Sequence, residues 1–513
     1  MALLEDPRTD VAAADDGVAE EHHRIVVVGA GFSGLATAIR LKQKGIEDVV
    51  LLEKASDVGG TWEVNTYPGC QCDIPSHVYS LSFAPNPNWS RTFSPQPEIW
   101  AYLRRVAEEH DVLRHVRLNT EVSDASWDEA RRRWVLTTSS GVLTADVMVA
   151  AVGGLSEPRT PDLPGLDAFE GTVFHSARWN HEHSLAGERV AVVGTGASAI
   201  QFVPKIQPEV GALQVYQRTP PWVMPNPDRE IRRSERRLYR RFPAWQRIVR
   251  EATYRWYDAL VTLFLHPPLT VLPEAIAKRH IASQVKDPEL RRRLTPAYKI
   301  GCKRILKSNH WYRALTAANT ELVTAGVAEV RARSIVDTEG VEREVDTIVF
   351  GTGFHVSDPP IAARVRGRDG QTMAQAWSEH GMEAYLGMSI VGFPNLFFLL
   401  GPNTGLGHNS VVVMVEAQIA YLLRALEAME RDGAATIEVR RETQASYNAW
   451  VDERLESTVW NSGGCASWYM DPKSGRNVVL WPGSTLAYRK RLRAFTLADY
   501  EVRRAPVPAG ASI

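Results

Sequence analysis

The chain has 513 residues, more than one compact hydrophobic core accommodates, so two or three domains are expected. Its composition is ordinary for a globular protein, with 44% hydrophobic residues, 23% charged residues and a formal net charge of −1. This balance gives no general attraction to nucleic acid or to anionic membranes. The four cysteines (Cys70, Cys72, Cys302 and Cys465) are too few for a disulfide scaffold, so a reducing cytoplasm is the expected location.

The two ends of the chain are expected to be loose tails. Residues 1–23 are acidic and alanine-rich, without the basic and apolar segments of a signal peptide. Residues 501–513 have the composition of a second tail. No apolar run approaches the ~18–20 residues that cross a bilayer, so no integral membrane segment is expected.

The first predicted element is the strand, turn and helix of RIVVVGAGFSGLATAIRLKQKG. Its G-x-G-x-x-G turn allows a pyrophosphate to approach the backbone and the helix N-terminus. A second strand, DVVLLE, ends in Glu53, where an acidic side chain can bind the two hydroxyls of an adenosine ribose. The residues of the predicted dinucleotide turn are Gly29, Gly31, Phe32, Ser33 and Gly34.

Two stretches follow whose composition indicates neither a strand nor a helix. GGTWEVNTYPGCQCD runs from Gly59 to Asp73, and Tyr79 lies shortly after it. FEGTVFHSARWN, residues 169–180, has a phenylalanine, a glycine, a histidine and a tryptophan at fixed offsets, just before a second glycine-rich turn. Read in isolation, its histidine and tryptophan are more typical of core residues than of functional ones.

The second turn, in RVAVVGTGASAIQFVPKI, repeats the dinucleotide pattern. The next strand, ALQVYQR, ends in Arg218, which is followed by Thr219. A guanidinium in that place binds a 2′-phosphate, although a surface arginine at the end of a strand is the alternative interpretation. Two turns with opposite charges beside them predict FAD at the first and NADPH at the second. The residues of the second turn are Gly194, Thr195, Gly196, Ala197, Ser198 and Ala199.

Residues 226–300 mix arginines with aromatic residues at helical spacing. They could form a basic amphipathic helix on a membrane surface. The other interpretation is a set of helices that pack over the active site and expose their arginines to water.

Later elements return the chain to the first domain. EREVDTIVFGTGF predicts a strand that ends in glycines, a common return to a flavin domain. NLFFLL, GPNTGLGHNS and VVVMVEAQIAYLLRALEAM predict a strand, a loop and a long helix that starts at the flavin ring, or else an ordinary crossover. We expect an α/β fold of two Rossmann-like domains, the second inserted in the first. The expected boundaries are 24–165 and 336–500 for the FAD-binding domain and 166–335 for the NADPH-binding domain, which has a helical insertion near 226–300.

Three stretches of the chain resemble the type I Baeyer-Villiger monooxygenases, flavoproteins that insert oxygen beside a carbonyl. Phe169, Gly171, His175 and Trp179 match the family's F-x-G-x-x-x-H-x-x-x-W fingerprint, although Asn180 stands where Pro or Asp is typical. GGTWEVNTYPGCQCD matches G-G-x-W-x(4)-Y-P-G-x(3)-D in every specified position, and YKIGCKR resembles the family's Lys–Arg pair. The likeness extends from about residue 24 to residue 500.

The resemblance implies a role for each matched residue. The fingerprint is the linker that positions the nicotinamide domain, with Gly171 supplying backbone freedom and His175 and Trp179 anchoring contacts. Lys303 assists Arg218 with the 2′-phosphate, and Arg304 lies at the flavin and pairs with Asp73. Gly60, Thr61, Trp62 and Tyr79 belong beside FAD. Trp468, in SWYMDPKSGRN, resembles the tryptophan of a mobile loop that closes over NADP, although a buried core tryptophan is an alternative.

The reaction implied is NADPH- and O2-dependent conversion of ketones to esters or lactones through a C4a-peroxyflavin, with NADP+ retained and no metal. Arg304 and Asp73 are the expected catalytic residues, because a guanidinium stabilises an anionic oxidant without giving up a proton. Sulfoxidation is a possible side reaction. The main alternative is a flavin monooxygenase that oxidises nitrogen or sulfur centres. A flavin disulfide reductase is disfavoured because CQC lacks the two-residue spacer of a redox pair.

The remaining alternative is a non-catalytic nucleotide-sensing or membrane-associated protein on the same fold. The expected partners are a small ketone and O2, without nucleic acid, in a monomer or small homo-oligomer. Neither the ketone nor the oligomeric state can be read from the sequence.

Overall fold

The computed structural model describes residues 20–504 of the chain. The first strands are β1 (Glu21–Val28), β2 (Val49–Leu52), β3 (Val116–Arg117), β4 (Val122–Asp128), β5 (Arg133–Thr138), β6 (Gly141–Ala150), β7 (Thr172–His175), β8 (Arg189–Val193), β9 (Ala212–Tyr216) and β10 (Val223–Met224). They are followed by β11 (Leu306–Lys307), β12 (Thr320–Val323), β13 (Val327–Arg331), β14 (Ser334–Asp337), β15 (Glu342–Glu344), β16 (Thr347–Phe350), β17 (Val365–Arg366), β18 (Leu396–Phe398), β19 (Ala434–Val439) and β20 (Tyr500–Arg504).

The α-helices of this part of the chain lie between and after these strands. They are α1 (Phe32–Gln43), α2 (Thr61–Val64), α3 (Gln96–Glu109), α4 (Ala199–Ile206), α5 (Arg233–Arg241), α6 (Pro243–Ala259), α7 (Val261–Leu265), α8 (Val271–Gln284), α9 (Pro288–Leu294), α10 (Trp311–Leu315), α11 (Met373–Ala376), α12 (Val411–Asp432), α13 (Arg441–Glu456), α14 (Val459–Ser462) and α15 (Thr485–Arg491).

The first large sheet has the strand order β17-β4-β5-β6-β1-β2-β3, with β18 also paired to β6. Its central strands β1, β2, β6 and β18 are parallel to one another. Ile25–Val28 and Val49–Leu52 are buried, because parallel strands covered on both faces carry continuous apolar runs. Helix α1 joins β1 to β2, which places the first glycine-rich turn at the carboxyl end of β1.

The second large sheet has five parallel strands in the order β12-β9-β8-β16-β7. Helix α4 joins β8 to β9 and so repeats the arrangement of β1, α1 and β2. The predicted fold class, an α/β protein with two Rossmann-like units, is confirmed. The glycine-rich turns lie at the carboxyl ends of β1 and β8, where such folds bind nucleotides.

Strand β16 corrects the expected boundary between the two domains. Residues 336–500 were expected to form the second part of the FAD-binding domain. Instead β16 pairs in parallel with β8 on one side and with β7 on the other, inside the second sheet. The sequence alone does not decide this, because an apolar strand that ends in glycines can extend either parallel sheet.

The expected tails also extend too far into the folded part. Glu21–His23 belong to β1 and pair with Leu143–Ala145 of β6. Residues 501–504 belong to β20, which pairs with β19. The rest of the two predicted tails, residues 1–19 and 505–513, lies outside the described residues.

Helices α5 to α9 fill the interval between β10 and β11, which are themselves paired in parallel. The region predicted near 226–300 is therefore helical. Among residues 20–504, no single helix is both long and apolar enough to cross a membrane. One bent pair, Pro243–Leu265 with Pro267–Gln284, reaches the necessary length and composition only jointly, across a bend of 112°.

Candidate active site

The first glycine-rich turn lies between β1 and α1, beside the end of β2. Gly29 has a φ of +104°, which favours glycine. A Cβ atom at Gly34 would lie 1.8 Å from the carbonyl oxygen of Gly29, so strand and helix approach too closely for a side chain. The Glu53 carboxylate accepts hydrogen bonds from the backbone N–H groups of Ala30 at 2.7 Å and Ala55 at 3.0 Å. The turn thus brings Glu53 close to the N-terminal end of α1, as a ribose-binding carboxylate requires.

A second glycine segment faces this turn. A Cβ atom at Gly60 would lie only 3.1 Å from the Cα atom of Gly31. In α2, Trp62 Nε1 donates to the hydroxyl of Tyr79 at 3.0 Å, and the Tyr79 ring meets Phe32, the first residue of α1, at a centroid distance of 5.1 Å. Backbone without side chains therefore forms both facing segments, with aromatic rings beside them. This fits the close approach of a pyrophosphate.

The second glycine-rich turn runs from β8 into α4. A Cβ atom at Gly194 would lie 2.5 Å from the carbonyl oxygen of Gly351, just after β16. Gly196 is exposed, and the nearest atom to a Cβ built there, the same oxygen, is 3.9 Å away. Gly194 is thus required by the fold, whereas the protein itself leaves room at Gly196. Thr195, Ala197, Ser198 and Ala199 complete the turn into α4.

Two cations lie together beyond the end of β9. Lys303 Nζ donates to the hydroxyl of Thr219 at 3.2 Å. Burial and the nearby charge of Arg218 lower the pKa of Lys303. Neither Arg218 nor Lys303 forms a salt bridge within residues 20–504. Two adjacent cations without a carboxylate suit a dianion such as a 2′-phosphate.

Asp73 and Arg304, which are 231 positions apart, form a bidentate pair. Arg304 Nε and Nη2 donate to the two carboxylate oxygens of Asp73, each at 2.7 Å. About a quarter of each side chain is exposed, 28% for Asp73 and 26% for Arg304. Burial by itself would raise the pKa of Asp73, but the charge and hydrogen bonds of Arg304 outweigh it and hold that pKa low. Burial likewise opposes the charge of Arg304, and Asp73 outweighs it to raise the pKa of Arg304.

The remaining Nη of Arg304 reaches the loop before α12. Arg304 Nη1 donates to the carbonyl oxygen of Leu406 at 3.2 Å. Four residues later Ser410 caps α12 by accepting a hydrogen bond from the N–H of Val412. The predicted loop and helix thus form, and Arg304 connects that loop to Asp73.

Two residues beside this pair were missed in the sequence. Lys307 Nζ donates to the backbone carbonyl of Asp73 at 3.0 Å, and burial lowers the pKa of Lys307. Tyr469 is buried, and its hydroxyl makes no hydrogen bond within the described residues. Burial raises the pKa of Tyr469 to about 12, although the charge of nearby Arg304 opposes the rise. Neither belongs to a recognised motif; only the closeness of Lys307 to Arg304 and of Tyr469 to Trp468 could have pointed to them.

Trp468 lies on the surface and is 46% exposed, so the alternative of a buried core tryptophan is wrong. Its ring contacts that of the buried Tyr469, with 4.4 Å between the centroids. A disulfide joins Cys465, three residues earlier, to Cys302, which directly precedes Lys303. This bond was not anticipated, because the cysteine count and spacing suggested free thiols in a reducing compartment. The disulfide attaches the Trp468 loop to the segment that carries Lys303 and Arg304.

The fingerprint segment contains β7 and the linker that follows it. A Cβ atom at Gly171 would lie 2.2 Å from the carbonyl oxygen of Asp346 and 2.6 Å from the Phe169 ring. Gly171 is therefore needed for close packing, a reason for the glycine that is separate from the backbone freedom expected of it. His175 Nδ1 accepts a hydrogen bond from the N–H of Ala177 at 3.0 Å, and burial lowers the pKa of His175 to about 4.

Asn180, where this chain departs from the fingerprint, accepts a hydrogen bond from the N–H of Glu182 through Oδ1 at 3.1 Å. This local turn is one that asparagine forms as readily as aspartate. The departure is thus compatible with an ordered linker.

An aromatic chain connects the fingerprint to the first domain. The Trp179 ring packs against Phe202 of α4 at 5.3 Å, and Phe202 packs against Tyr67 at 6.1 Å. Beside them, Gln201 accepts from the Tyr67 hydroxyl at 3.0 Å and donates to the carbonyl of Gln71 at 2.9 Å. Helix α4, which begins at the second glycine-rich turn, is therefore docked on the segment that ends at Asp73.

No group of three or more potential metal ligands occurs within the described range, 20–504. Cys70 and Cys72 are free and buried, and burial raises the pKa of the Cys70 thiol to about 12. They therefore lack the reactivity of a redox-active pair.

Comparison with known proteins agrees with this arrangement. Residues 26–238 match the family model described as pyridine nucleotide-disulphide oxidoreductase. Among solved structures, cyclohexanone monooxygenase from Rhodococcus sp. Phi1 bound to NADP+ superimposes with a TM-score of 0.85 at 29% identity, covering 95% of this chain and 100% of the other. Oxidized steroid monooxygenase bound to NADP has a TM-score of 0.83 at 30% identity, covering 94% and 100%.

Curated relatives are more similar. A Baeyer-Villiger monooxygenase of Pseudomonas aeruginosa is 51% identical over 493 residues, which cover 96% of this chain and 93% of the relative. A Baeyer-Villiger monooxygenase of Streptomyces coelicolor is 51% identical over 491 residues, covering 95% and 94%. Identity of this extent, together with both glycine-rich turns and the Asp73–Arg304 pair, shows that the chain belongs to the Baeyer-Villiger monooxygenases.

Proposed function

We propose that this protein is an FAD-dependent, NADPH- and O2-consuming monooxygenase that converts ketones to esters or lactones. The observation that carries the proposal is that two neighbouring cations, Lys303 and Arg304, bind to different parts of the site. Lys303 donates a hydrogen bond to Thr219 beside the second glycine-rich turn. Arg304 pairs with Asp73, at the end of the segment that faces the first turn. One short loop thus connects both nucleotide sites to one fixed guanidinium.

The residues present fit the two nucleotides. The facing glycines at 31 and 60 leave backbone on both sides, and Glu53 lies beside the first turn with lone pairs still available to a ribose. At the second turn, the open Gly196 and the cations Arg218 and Lys303 suit a pyrophosphate and a 2′-phosphate. We assign FAD to the first turn and NADPH to the second.

Arg304 is proposed as the group that stabilises negative charge beside the ketone. When bound and reduced by NADPH, the flavin supplies the activation of O2. The raised pKa of Arg304 means that it keeps its proton at any working pH, so it acts as a fixed charge and never as an acid. Asp73 accepts hydrogen bonds from Nε and Nη2 of the guanidinium and fixes its plane. Such preorganised charge stabilises an oxyanion without reorganisation during the reaction.

The Trp468 loop is proposed as the cover of the nucleotide site. Exposed Trp468 is available to contact a ligand, while the buried Tyr469 and the Cys302–Cys465 bond hold the base of the loop beside Lys303 and Arg304. Cover by this loop and retention of NADP+ would exclude water from the oxidant. We further propose a monomer or small homo-oligomer, with sulfoxidation as a side reaction.

The test is a panel of aryl, cyclic and linear ketones incubated with purified protein, FAD and NADPH, with products identified by mass. We expect ketone-stimulated NADPH oxidation and a product one oxygen atom heavier than the ketone. Arg304→Ala should retain flavin and lower ester formation about 10²- to 10³-fold. Arg368→Ala is the matched control, because Arg368 pairs with the buried Glu438 away from both turns. Undiminished ester formation by Arg304→Ala would refute the assigned role.

A further inference from the structure

Helix α6 (Pro243–Ala259) has its apolar and polar faces reversed relative to an ordinary surface helix. Its buried face carries Gln246, Tyr254 and Asp258. Its outer face carries Trp245, Ile248 and Trp256, which are 48%, 56% and 66% exposed. At about 100° per residue these three side chains fall on one stripe of the helix, opposite Tyr254. We name Trp245, Ile248 and Trp256 the outer face of α6.

The buried face of α6 is fixed, so the helix cannot rotate to hide the tryptophans. The Asp258 carboxylate accepts hydrogen bonds from the N–H and hydroxyl of Thr485, at 2.7 and 2.5 Å. Burial would raise the pKa of Asp258, but the hydrogen bonds of Thr485 and the nearby His408 ring outweigh it and lower the pKa to about 2. The outer face is therefore a stable feature of the fold.

Helix α5, which packs against α6, supplies a dense positive charge next to the outer face. Its five arginines form no salt bridge within the described residues, and its one acidic residue, Glu235, is paired with Arg229. Phe242, which connects the two helices, is also exposed. The five arginines are Arg233, Arg236, Arg237, Arg240 and Arg241.

More exposed apolar side chains follow along the chain where α8 begins. Leu269, Val271, Leu272 and Ile276 are all exposed, and Val271 and Leu272 are more than two-thirds open to solvent. Large apolar side chains in such number are rare on a surface that meets only water.

We propose that the outer face of α6, together with the arginines of α5, binds the surface of a lipid bilayer that contains anionic headgroups. Tryptophan and isoleucine enter the boundary between headgroups and acyl chains, and arginines beside them bind lipid phosphates while their stems lie on apolar surface. Helix α6 lies along the surface and does not span the bilayer. This activity is independent of the proposed reaction.

Charge decides between a bilayer and a second copy of this chain. A symmetric contact through the same face would bring two sets of unpaired α5 arginines towards each other, which is unfavourable. An anionic membrane surface neutralises the same charges and attracts them. The outer face of α6 and the arginines of α5 together therefore favour the bilayer.

The test is sedimentation of the holoenzyme with lipid vesicles. We expect binding to vesicles of phosphatidylcholine with about one-third phosphatidylglycerol, weaker binding to phosphatidylcholine alone, and a loss as salt rises from ~0.1 to ~0.5 M. Ile248→Ser combined with Trp256→Ser should weaken binding about tenfold or more while turnover of a water-soluble ketone is unchanged. Arg237→Glu combined with Arg240→Glu should abolish the preference for the anionic lipid.

The matched control is Val142→Ser with Leu155→Ser, because these side chains are 53% and 45% exposed but lie outside the helical insertion. This control should bind vesicles like the unchanged protein. Failure of the unchanged holoenzyme to bind anionic vesicles, or equal binding by the Ile248/Trp256 variant, would overturn the proposal. Sedimentation velocity without lipid is the second readout. A concentration-dependent dimer that the Ile248/Trp256 variant loses would assign the face to a second copy instead.

Discussion

The indole of Trp179 packs against the ring of Phe202, with 5.3 Å between the ring centroids. Trp179 belongs to the linker after β7, whereas Phe202 belongs to α4, the helix that begins at the second glycine-rich turn. Phe202 in turn contacts Tyr67, on the segment that ends at Asp73. The fingerprint tryptophan thus helps to set the position of the second glycine-rich turn relative to the first domain, without itself belonging to the Asp73–Arg304 site.

We therefore expect Trp179→Ala to slow flavin reduction by NADPH about tenfold or more. The reason is that even a small displacement of the hydride donor from the flavin slows the transfer. Flavin content should be unchanged. Stopped-flow absorbance of the flavin measures the reduction rate directly. Trp450→Ala is the control, since Trp450 packs against Trp481 in another part of the fold. Normal reduction by the Trp179 variant would show that the aromatic contact does not position the nucleotide.

The two glycines of the second turn should respond differently to alanine. Gly196→Ala has room within the protein, so it should fold normally and raise the KM for NADPH about tenfold by obstructing the pyrophosphate. Gly194→Ala places a Cβ 2.5 Å from a backbone oxygen and should lower the melting temperature. Thermal unfolding and NADPH kinetics of both variants check this. If Gly196→Ala left the KM unaltered, the turn would not hold the nucleotide as we propose.

Removal of the Arg218 guanidinium should affect NADPH and leave NADH nearly untouched. Arg218→Ala is expected to lower kcat/KM for NADPH about 10- to 100-fold, the effect of losing charged hydrogen bonds to a 2′-phosphate. Steady-state kinetics with both nucleotides give the ratio. Arg333→Ala, which removes an 80% exposed arginine elsewhere in the chain, serves as the control. Equal losses with NADPH and NADH would contradict recognition of the phosphate by Arg218.

His175 should make the folded protein less stable in mild acid. Burial lowers its pKa from 6.5 to about 4, so between these values the unfolded chain takes up a proton that the folded chain does not. Above pH 6.5 His175 therefore costs no stability. As pH falls towards 4, it lowers the free energy of unfolding by about 2–3 kcal/mol.

The melting temperature of His175→Gln should fall less between pH 6.5 and 4 than that of the unchanged protein. Any difference in melting temperature between the two proteins at neutral pH does not enter this comparison. His380→Gln, at an exposed position, is the comparison. Parallel pH profiles for the unchanged protein and the His175 variant would count against a buried neutral imidazole.

The parts of the site that are visible in the sequence are those encoded by local spacing. Both glycine-rich turns, Glu53, Arg218 and the Asp73–Arg304 pair follow from short motifs or from the family resemblance. Lys307 and Tyr469 were missed because they reach the pair only through folding, as does the bond between Cys302 and Cys465. The membership of β16 was also misjudged, since strand pairing between positions 175 and 350 leaves no local pattern. The close packing of Gly171 against Asp346 and Phe169 likewise arises only in the folded protein.

Strand β16 has a practical consequence for exchanging nucleotide domains between relatives. It lies between β8 and β7, and it is the strand that holds these two in one sheet. A transplant cut at residue 335 would leave β7 without a neighbour and give β8 an open edge, a template for unwanted self-association. A transferable unit must therefore carry Thr347–Phe350 with it and be spliced beyond the glycines at 351 and 353.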